Sequence, residues 1–311
     1  MTGPVLVTGA SGFAGSHLVE LLAGGHRVVA WSHASSPPDD IAGAAMWQAV
    51  DLLDPEQVTA ALREARPSAI VHLAGVPNVG ESWDDTALPL EVNVLGTHRL
   101  LASVREVGHR CRIVVSGSAH VYAPSADPID EQHATAPASP YALSKLAQEQ
   151  LALRAAREDG LEVIVTRSFN HTGPRQKPSF AAPSMARQIA QIERGAIEPV
   201  IRVGNLAARR DVLDVRDTVR AYAALLEAGT PGAIYNVASG VARPIRDVLA
   251  ALVARARVPI RIETDPARLR PNDIPVLIGD ASRLRAATGW EPTIPFDRTI
   301  DDLLEYWRST A

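Results

Sequence analysis

Tyr141 and Lys145 stand four residues apart in Ser139-Pro-Tyr-Ala-Leu-Ser-Lys145. On a helix begun near Pro140, that spacing puts a phenol and an ammonium on one face. A free phenol, with a pKa of ~10, is a poor acid–base group at neutral pH. A neighbouring ammonium stabilises the phenolate and is expected to lower that pKa, so the pair could exchange a proton with a carbonyl or hydroxyl. Ser118, just after the apolar run Arg112–Gly117, could donate to the same oxygen. Taken singly, a Tyr and a Lys four apart usually mark a solvated helix face, and a serine after a strand often satisfies its own turn. The surroundings of these residues decide between the readings.

The run Pro4–Thr8 leads into Gly9-Ala-Ser11-Gly12-Phe13-Ala-Gly15 and then a helical stretch. Gly9 can take the tight turn, Gly12 lets backbone approach a pyrophosphate, and Gly15 permits close packing of helix on strand. The helix start adds N–H groups and a positive dipole. A strand–loop–helix of this kind at the first junction points to a dinucleotide. An NAD site usually places Asp or Glu ~20 residues beyond the loop. Here the second strand ends Trp31-Ser32-His33. Without a carboxylate there, a 2′-phosphate meets no repulsion, and Ser32 and His33 could donate to it. NADP(H) is favoured, and NAD(H) is possible. Asp51-Leu52 sits where a carboxylate could accept from the adenine amine; the alternative is a turn or capping Asp, as for Asp54. An oxidised nicotinamide would add to the effect of Lys145 on Tyr141, and Lys145 could also hydrogen-bond the nicotinamide ribose.

The elements that must carry these residues alternate. Expected strands are Pro4–Thr8, Arg27–Trp31, Trp47–Val50, Ala69–Leu73, Arg112–Gly117 and Glu162–Ser168. Most are continuous Val/Ile/Leu/Ala runs, as in strands buried on both faces. Helical stretches lie between them at Gly15–Ala23, Glu56–Glu64, Pro89–Val107 and Pro140–Asp159. The expected fold class is α/β: a Rossmann-type doubly wound parallel sheet with a smaller C-terminal mixed α/β substrate lobe. The expected division is 1–170 plus about 214–238 for the cofactor domain, with about 171–213 and 239–311 in the lobe.

With 46% hydrophobic residues in 311, the chain can bury a large core, which excludes a disordered scaffold. A net charge of −4 makes nucleic acid a poor partner. No apolar run reaches the ~18–20 residues of a membrane span, and the start lacks the pattern of a signal peptide. The lone Cys111 fits a reducing, cytoplasmic setting. No metal site is expected.

Gly9/Gly12/Gly15, His72-Leu73-Ala74-Gly75, Asn93 in Asn-Val-Leu-Gly-Thr, Ser118 and Tyr141/Lys145 together resemble the extended short-chain dehydrogenase/reductase family, which works on nucleotide sugars. The resemblance covers essentially the whole chain. It implies a Ser118–Tyr141–Lys145 catalytic triad supported by Asn93. The cofactor site it implies comprises Gly9, Ser11, Gly12, Phe13, Gly15, Ser32, His33, Asp51, Leu52, Leu73, Ala74, Gly75, Asn93, Tyr141, Lys145 and Phe169. Three later blocks, Thr166–Pro174, Val203–Asp217 and Leu269–Asp280, resemble the branch acting on GDP-mannose and its 4-keto product. There Asn170, Arg210 and Arg270 would lie around the diphosphate of a GDP-sugar. Arginine suits bidentate phosphate binding; the alternative is surface salt bridges to Asp211 and Asp273.

One position departs from the family. Dehydratases carry a carboxylate two residues after the catalytic Ser/Thr to remove the C5 proton, and this chain has His120. Elimination needs that base, and reduction does not. His120 could hydrogen-bond substrate or simply satisfy a turn. The implied activity is NADPH-dependent reduction of the C4 keto group of GDP-4-keto-6-deoxy-D-mannose. A 4-epimerase or 4,6-dehydratase of the same family is the alternative, and a non-catalytic dinucleotide sensor the option outside it. A homodimer through Pro89–Val107 and Pro140–Asp159 is the family expectation.

Overall fold

In the computed structural model, residues 3–33, 37–268 and 274–310 are described. The first half runs β1 (Val5–Thr8), α1 (Phe13–Ala23), β2 (Val28–Ser32), β3 (Met46–Ala49), α2 (Pro55–Ala65), β4 (Ala69–His72), α3 (Gly96–Val107), β5 (Arg112–Ser118), α4 (Pro140–Glu158) and β6 (Glu162–Ser168). Every residue of β1, β2 and β4 is buried, as their apolar runs require for strands covered on both faces. Asp54 caps α2 through Glu56 N–H and Gln57 N–H, and Ser139 caps α4 through Ala142 N–H with Pro140 beginning its first turn.

The second half adds β7 (His171–Thr172), α5 (Ala181–Glu193), β8 (Val200–Val203), β9 (Arg209–Asp211), β10 (Leu213–Asp214), α6 (Val215–Ala228), β11 (Ile234–Val237), β12 (Ala242–Pro244), α7 (Ile245–Val253), β13 (Arg261–Thr264), β14 (Val276–Leu277), α8 (Ser282–Thr288) and α9 (Phe296–Thr310).

Seven strands form one sheet in the order β3-β2-β1-β4-β5-β6-β11. All its pairs are parallel. The fold is a Rossmann-like doubly wound sheet, and its order reverses between β1 and β4. A ligand crevice is expected at that switch point, beyond the carboxyl ends of the strands. Helices α2, α3 and α4 cover one face, and α1 and α6 the other, giving two apolar cores. A third core joins α5, α7, α9 and β8 in the lobe. Two features differ from the sequence reading. The stretch Pro89–Val107 is not one regular helix: Leu90–Leu95 forms a π-helical turn before α3. The stretch 239–311 is not all lobe, because Leu277, Ala281, Leu284 and Trp290 pack into the core shared with α6 and β11.

Candidate active site

The strand ends and the lobe enclose a cleft of about 1400 Å³. An ordinary small-molecule site holds ~300–1,000 Å³, so this one has room for a dinucleotide and a second ligand together. At one end the turn after β1 carries Gly9 at φ +66°. A Cβ on Gly9 would stand 2.6 Å from Ala74 N, and one on Gly15 would stand 2.1 Å from Gly9 O. Only glycine fits either position. Gly12 is the N-cap of α1, with no side-chain cap and no acidic residue in the first turn. The first turn of α1 thus brings no carboxylate of its own to its N–H groups, which fits a pyrophosphate. Ser11 and Phe13 line the same end. Ser32, buried at the tip of β2, and exposed His33 line its continuation, as do Asp51 and Leu52. The Asp51 carboxylate accepts the Leu53 N–H at 2.8 Å, so the turn reading of Asp51 holds whatever else it contacts.

The middle of the cleft brings Ser118, Tyr141 and Lys145 together. All three are buried, at 4%, 7% and 7% exposure. Ser118 ends β5, and its hydroxyl oxygen accepts the His120 N–H at 3.2 Å while hydrogen-bonding the Tyr141 phenol. Lys145 Nζ donates to Ser116 O and to Gln148 Oε1, each at 2.8 Å. Burial pushes the Tyr141 phenol up to about 12, with the Ser118 hydrogen bond opposing it. This corrects the expectation that Lys145 lowers Tyr141. The lysine gives two of its three N–H groups to neutral oxygens, and desolvation dominates the phenol. Burial likewise lowers Lys145 to about 8. Tyr141 is thus a protonated donor at neutral pH, suited to delivering a proton to an oxygen that gains charge.

Leu73, Ala74, Gly75 and Phe169 line the cleft, and Phe169 stacks on Tyr122 at 6.2 Å between ring centroids. Asn93 does not line it. It is fully buried on the π-turn; its Oδ1 accepts Val76 N–H at 2.8 Å, and its Nδ2 donates to Ser144 Oγ at 2.9 Å. It joins the loop after β4 to α4, so it supports the wall of the cleft. The edge of the His120 ring meets Tyr141, with centroids 6.1 Å apart, and His120 also lines the cleft.

The sequence model of the GDP-mannose 4,6 dehydratase family matches residues 6–303. The chain belongs to that family. A GDP-6-deoxy-D-mannose reductase of Pseudomonas aeruginosa is 38% identical over 99% of this chain and 98% of its own. A UDP-glucose 4-epimerase of Mycolicibacterium smegmatis is 33% identical over 98% and 99%. Among solved structures, RMD from P. aeruginosa complexed with NADPH superposes with a TM-score of 0.88 at 37% identity, each chain covered in full. The UDP-glucose 4-epimerase of Thermus thermophilus in complex with NAD gives 0.88 at 29%, covering 99% of this chain and 100% of that one.

In this GDP-mannose 4,6 dehydratase family member, the lobe end of the cleft carries Asn170 and Arg210. The Asn170 Oδ1 atom is buried without a hydrogen-bond partner, an acceptor that a ligand donor would satisfy. Arg210 is 9% exposed, and its Nη1 donates to Arg209 O. Asp211 instead accepts from Ser239, Gly240 and Gly279 backbone N–H groups. Arg270 and Asp273 lie outside the described residues. Arg202, Asn205, Arg268, Lys177 and Tyr222 also line the cleft, and sequence reasoning did not single them out. They sit on a strand, loops and a helix with no motif spacing. The pairing of β8 with β13 brings Arg202 there, and the packing of α6 on the sheet brings Tyr222.

Proposed function

We propose that the protein reduces the C4 keto group of GDP-4-keto-6-deoxy-D-mannose with NADPH, giving GDP-D-rhamnose or its C4 epimer. One observation carries the reading: the Tyr141 phenol hydrogen-bonded to Ser118, with His120 where elimination would need a carboxylate base. The full-length relative named as the reductase supports it. NADPH bound along Gly9–Gly15 and Leu73–Gly75 supplies the hydride to C4. Ser118 polarises the C4 oxygen, and Tyr141 delivers the proton that converts it to a hydroxyl. Lys145 holds the nicotinamide ribose, and Arg210, Arg270 and the Asn170 amide N–H hold the diphosphate. His120 hydrogen-bonds the sugar. Ser32 and His33, with no carboxylate at the end of β2, favour the 2′-phosphate.

The epimerase relatives favour a second reading, a nucleotide-sugar 4-epimerase. The two separate on stoichiometry. Incubation with NADPH and GDP-, UDP-, dTDP- and CDP-4-keto-6-deoxy sugars should consume one NADPH per product with the GDP sugar. No NADPH loss with any keto sugar, together with C4 epimerisation of UDP-glucose without added reductant, would refute the reductase.

The reading includes three further assignments. The cofactor domain is 1–170 with about 214–238, and most of the remainder is the sugar lobe. The protein is a homodimer: Leu88 just before the π-turn, Leu90 and Leu95 on it and Leu143 on α4 are each at least 41% exposed. A monomeric mass by light scattering would refute this. The protein works in the cytoplasm, where its buried Cys111, with its thiol pushed up to about 12, stays reduced.

A further inference from the structure

Behind the Tyr–Lys pair runs a buried chain of side chains from β1 to α4, and its protons can be assigned one by one. The Thr97 hydroxyl donates its single proton to Asn93 O at 2.6 Å. Its oxygen can then only accept, and it does so from Gln148 Nε2 at 2.7 Å and from His72 Nε2 at 2.9 Å. His72 therefore carries its proton on Nε2. Its Nδ1 accepts from Thr8 Oγ1 at 2.7 Å, and that oxygen accepts the Ala74 N–H at 3.2 Å. With the amide nitrogen of Gln148 committed to Thr97, Gln148 Oε1 must face Lys145, where it accepts from Nζ at 2.8 Å. Thr97, His72 and Gln148 are at most 1% exposed, so no water can substitute for a missing partner at low cost.

We propose that Gln148 is a positioning residue for Lys145. Held by Thr97, His72 and Thr8, its carbonyl oxygen keeps the ammonium charged and leaves the third N–H of Lys145 for the cleft. The inference deepens the reductase reading and rests on it for its kinetic consequence only. Burial holds His72 neutral, down to about 3, so the chain is a fixed spacer and does not relay protons at neutral pH. The titratable groups around Lys145 are Tyr141 on α4, His72 on β4, His120 beside Tyr141, and Tyr222 from α6. The nearby Glu149 is closed in a bidentate pair with Arg167.

The chain has only two lysines, Lys145 and Lys177. Lysine labelled with ¹³C at Cε therefore gives two signals, and Lys177→Arg assigns them. In the ligand-free protein, Gln148→Met should lower the Lys145 midpoint by about one unit, roughly what one charge-assisted hydrogen bond is worth. Gln148→Glu should raise it by at least as much. The alkaline limb of kcat/KM should follow both shifts, whereas a residue that merely filled space would move neither in opposite directions. Equal midpoints in the wild type and both variants, or shifts of the same sign, would overturn the proposal. Should Gln148→Met fail to fold, Gln148→Ala, which also removes the carbonyl acceptor, makes the same decision. If the wild type oxidises no NADPH, the reductase reading fails, while the lysine titration still tests Gln148.

Discussion

At the scale of single residues, burial controls the chemistry more than charge pairing does. Tyr141 at about 12 keeps its proton until the substrate oxygen can take it. Tyr141→Phe should cost ~10²–10⁴ in kcat while NADPH binding persists, as measured by steady-state rates and cofactor fluorescence. Lys145 has the opposite problem. Its folded value, about 8, lies below its ordinary 10.5, so the unfolded chain binds more protons between those values. The buried ammonium therefore costs stability below pH ~8, and the cost fades as pH rises through that window. Relative to Lys145→Met, the wild type should gain up to ~3 kcal/mol between pH 7 and pH 10.5. Chemical denaturation of both proteins at each pH checks it; a constant difference would show that the lysine is not desolvated.

At the scale of elements, the π-turn Leu90–Leu95 places Asn93 against both Val76 and Ser144. A regular helix there would rotate the amide away from one partner. Asn93→Ala leaves the Val76 N–H and its neighbours unmatched in the interior. It should lower stability by about 1–3 kcal/mol and raise the KM for NADPH, while Asn93→Asp, which keeps the acceptor, should lose less. Denaturation midpoints and initial rates would test this. Apolar periodicity cannot reveal such a turn, because one extra residue per turn shifts the buried face without breaking the pattern. The strands were legible for the opposite reason. Val5–Val7 and Ala69–Val71 are short, unbroken apolar runs, and a strand covered on both faces buries every residue, including the polar Thr8 and His72 that end them.

At the scale of the whole molecule, α4 is fastened to the sheet by the buried pair of Glu149 and Arg167. Arg167 Nε and Nη2 reach the two carboxylate oxygens at 2.8 and 2.6 Å. Its Nη1 donates to Glu131 O at 3.2 Å, and its guanidinium lies 4.6 Å from the Tyr122 ring centroid. Helix, sheet and the loop bearing Glu131 thus meet in one ion pair. Arg167→Met should cost ~3–5 kcal/mol by stranding the Glu149 charge, and adding Glu149→Met should recover most of it. Denaturant titration of the single and double variants decides, and an unrecovered double variant would mean that the Tyr122 and Glu131 contacts dominate.

The sequence alone determined the parts whose physics is local. The glycine turn, the apolar strands and the Tyr141/Lys145 spacing each follow from a few adjacent residues, and their order along the chain carries the fold class and the family resemblance. Tertiary structure decided what depends on residues far apart in the chain. It set Tyr141 high instead of low, because burial is a property of everything packed around the phenol. It withdrew Asn93 from the cleft and committed it to the wall. It returned Leu277–Trp290 to the sheet's core, and it brought Lys177, Arg202 and Arg268 to the lobe side of one cleft. Desolvation and long-range hydrogen bonding have no signature in residue spacing, so these outcomes exist only once the chain is folded.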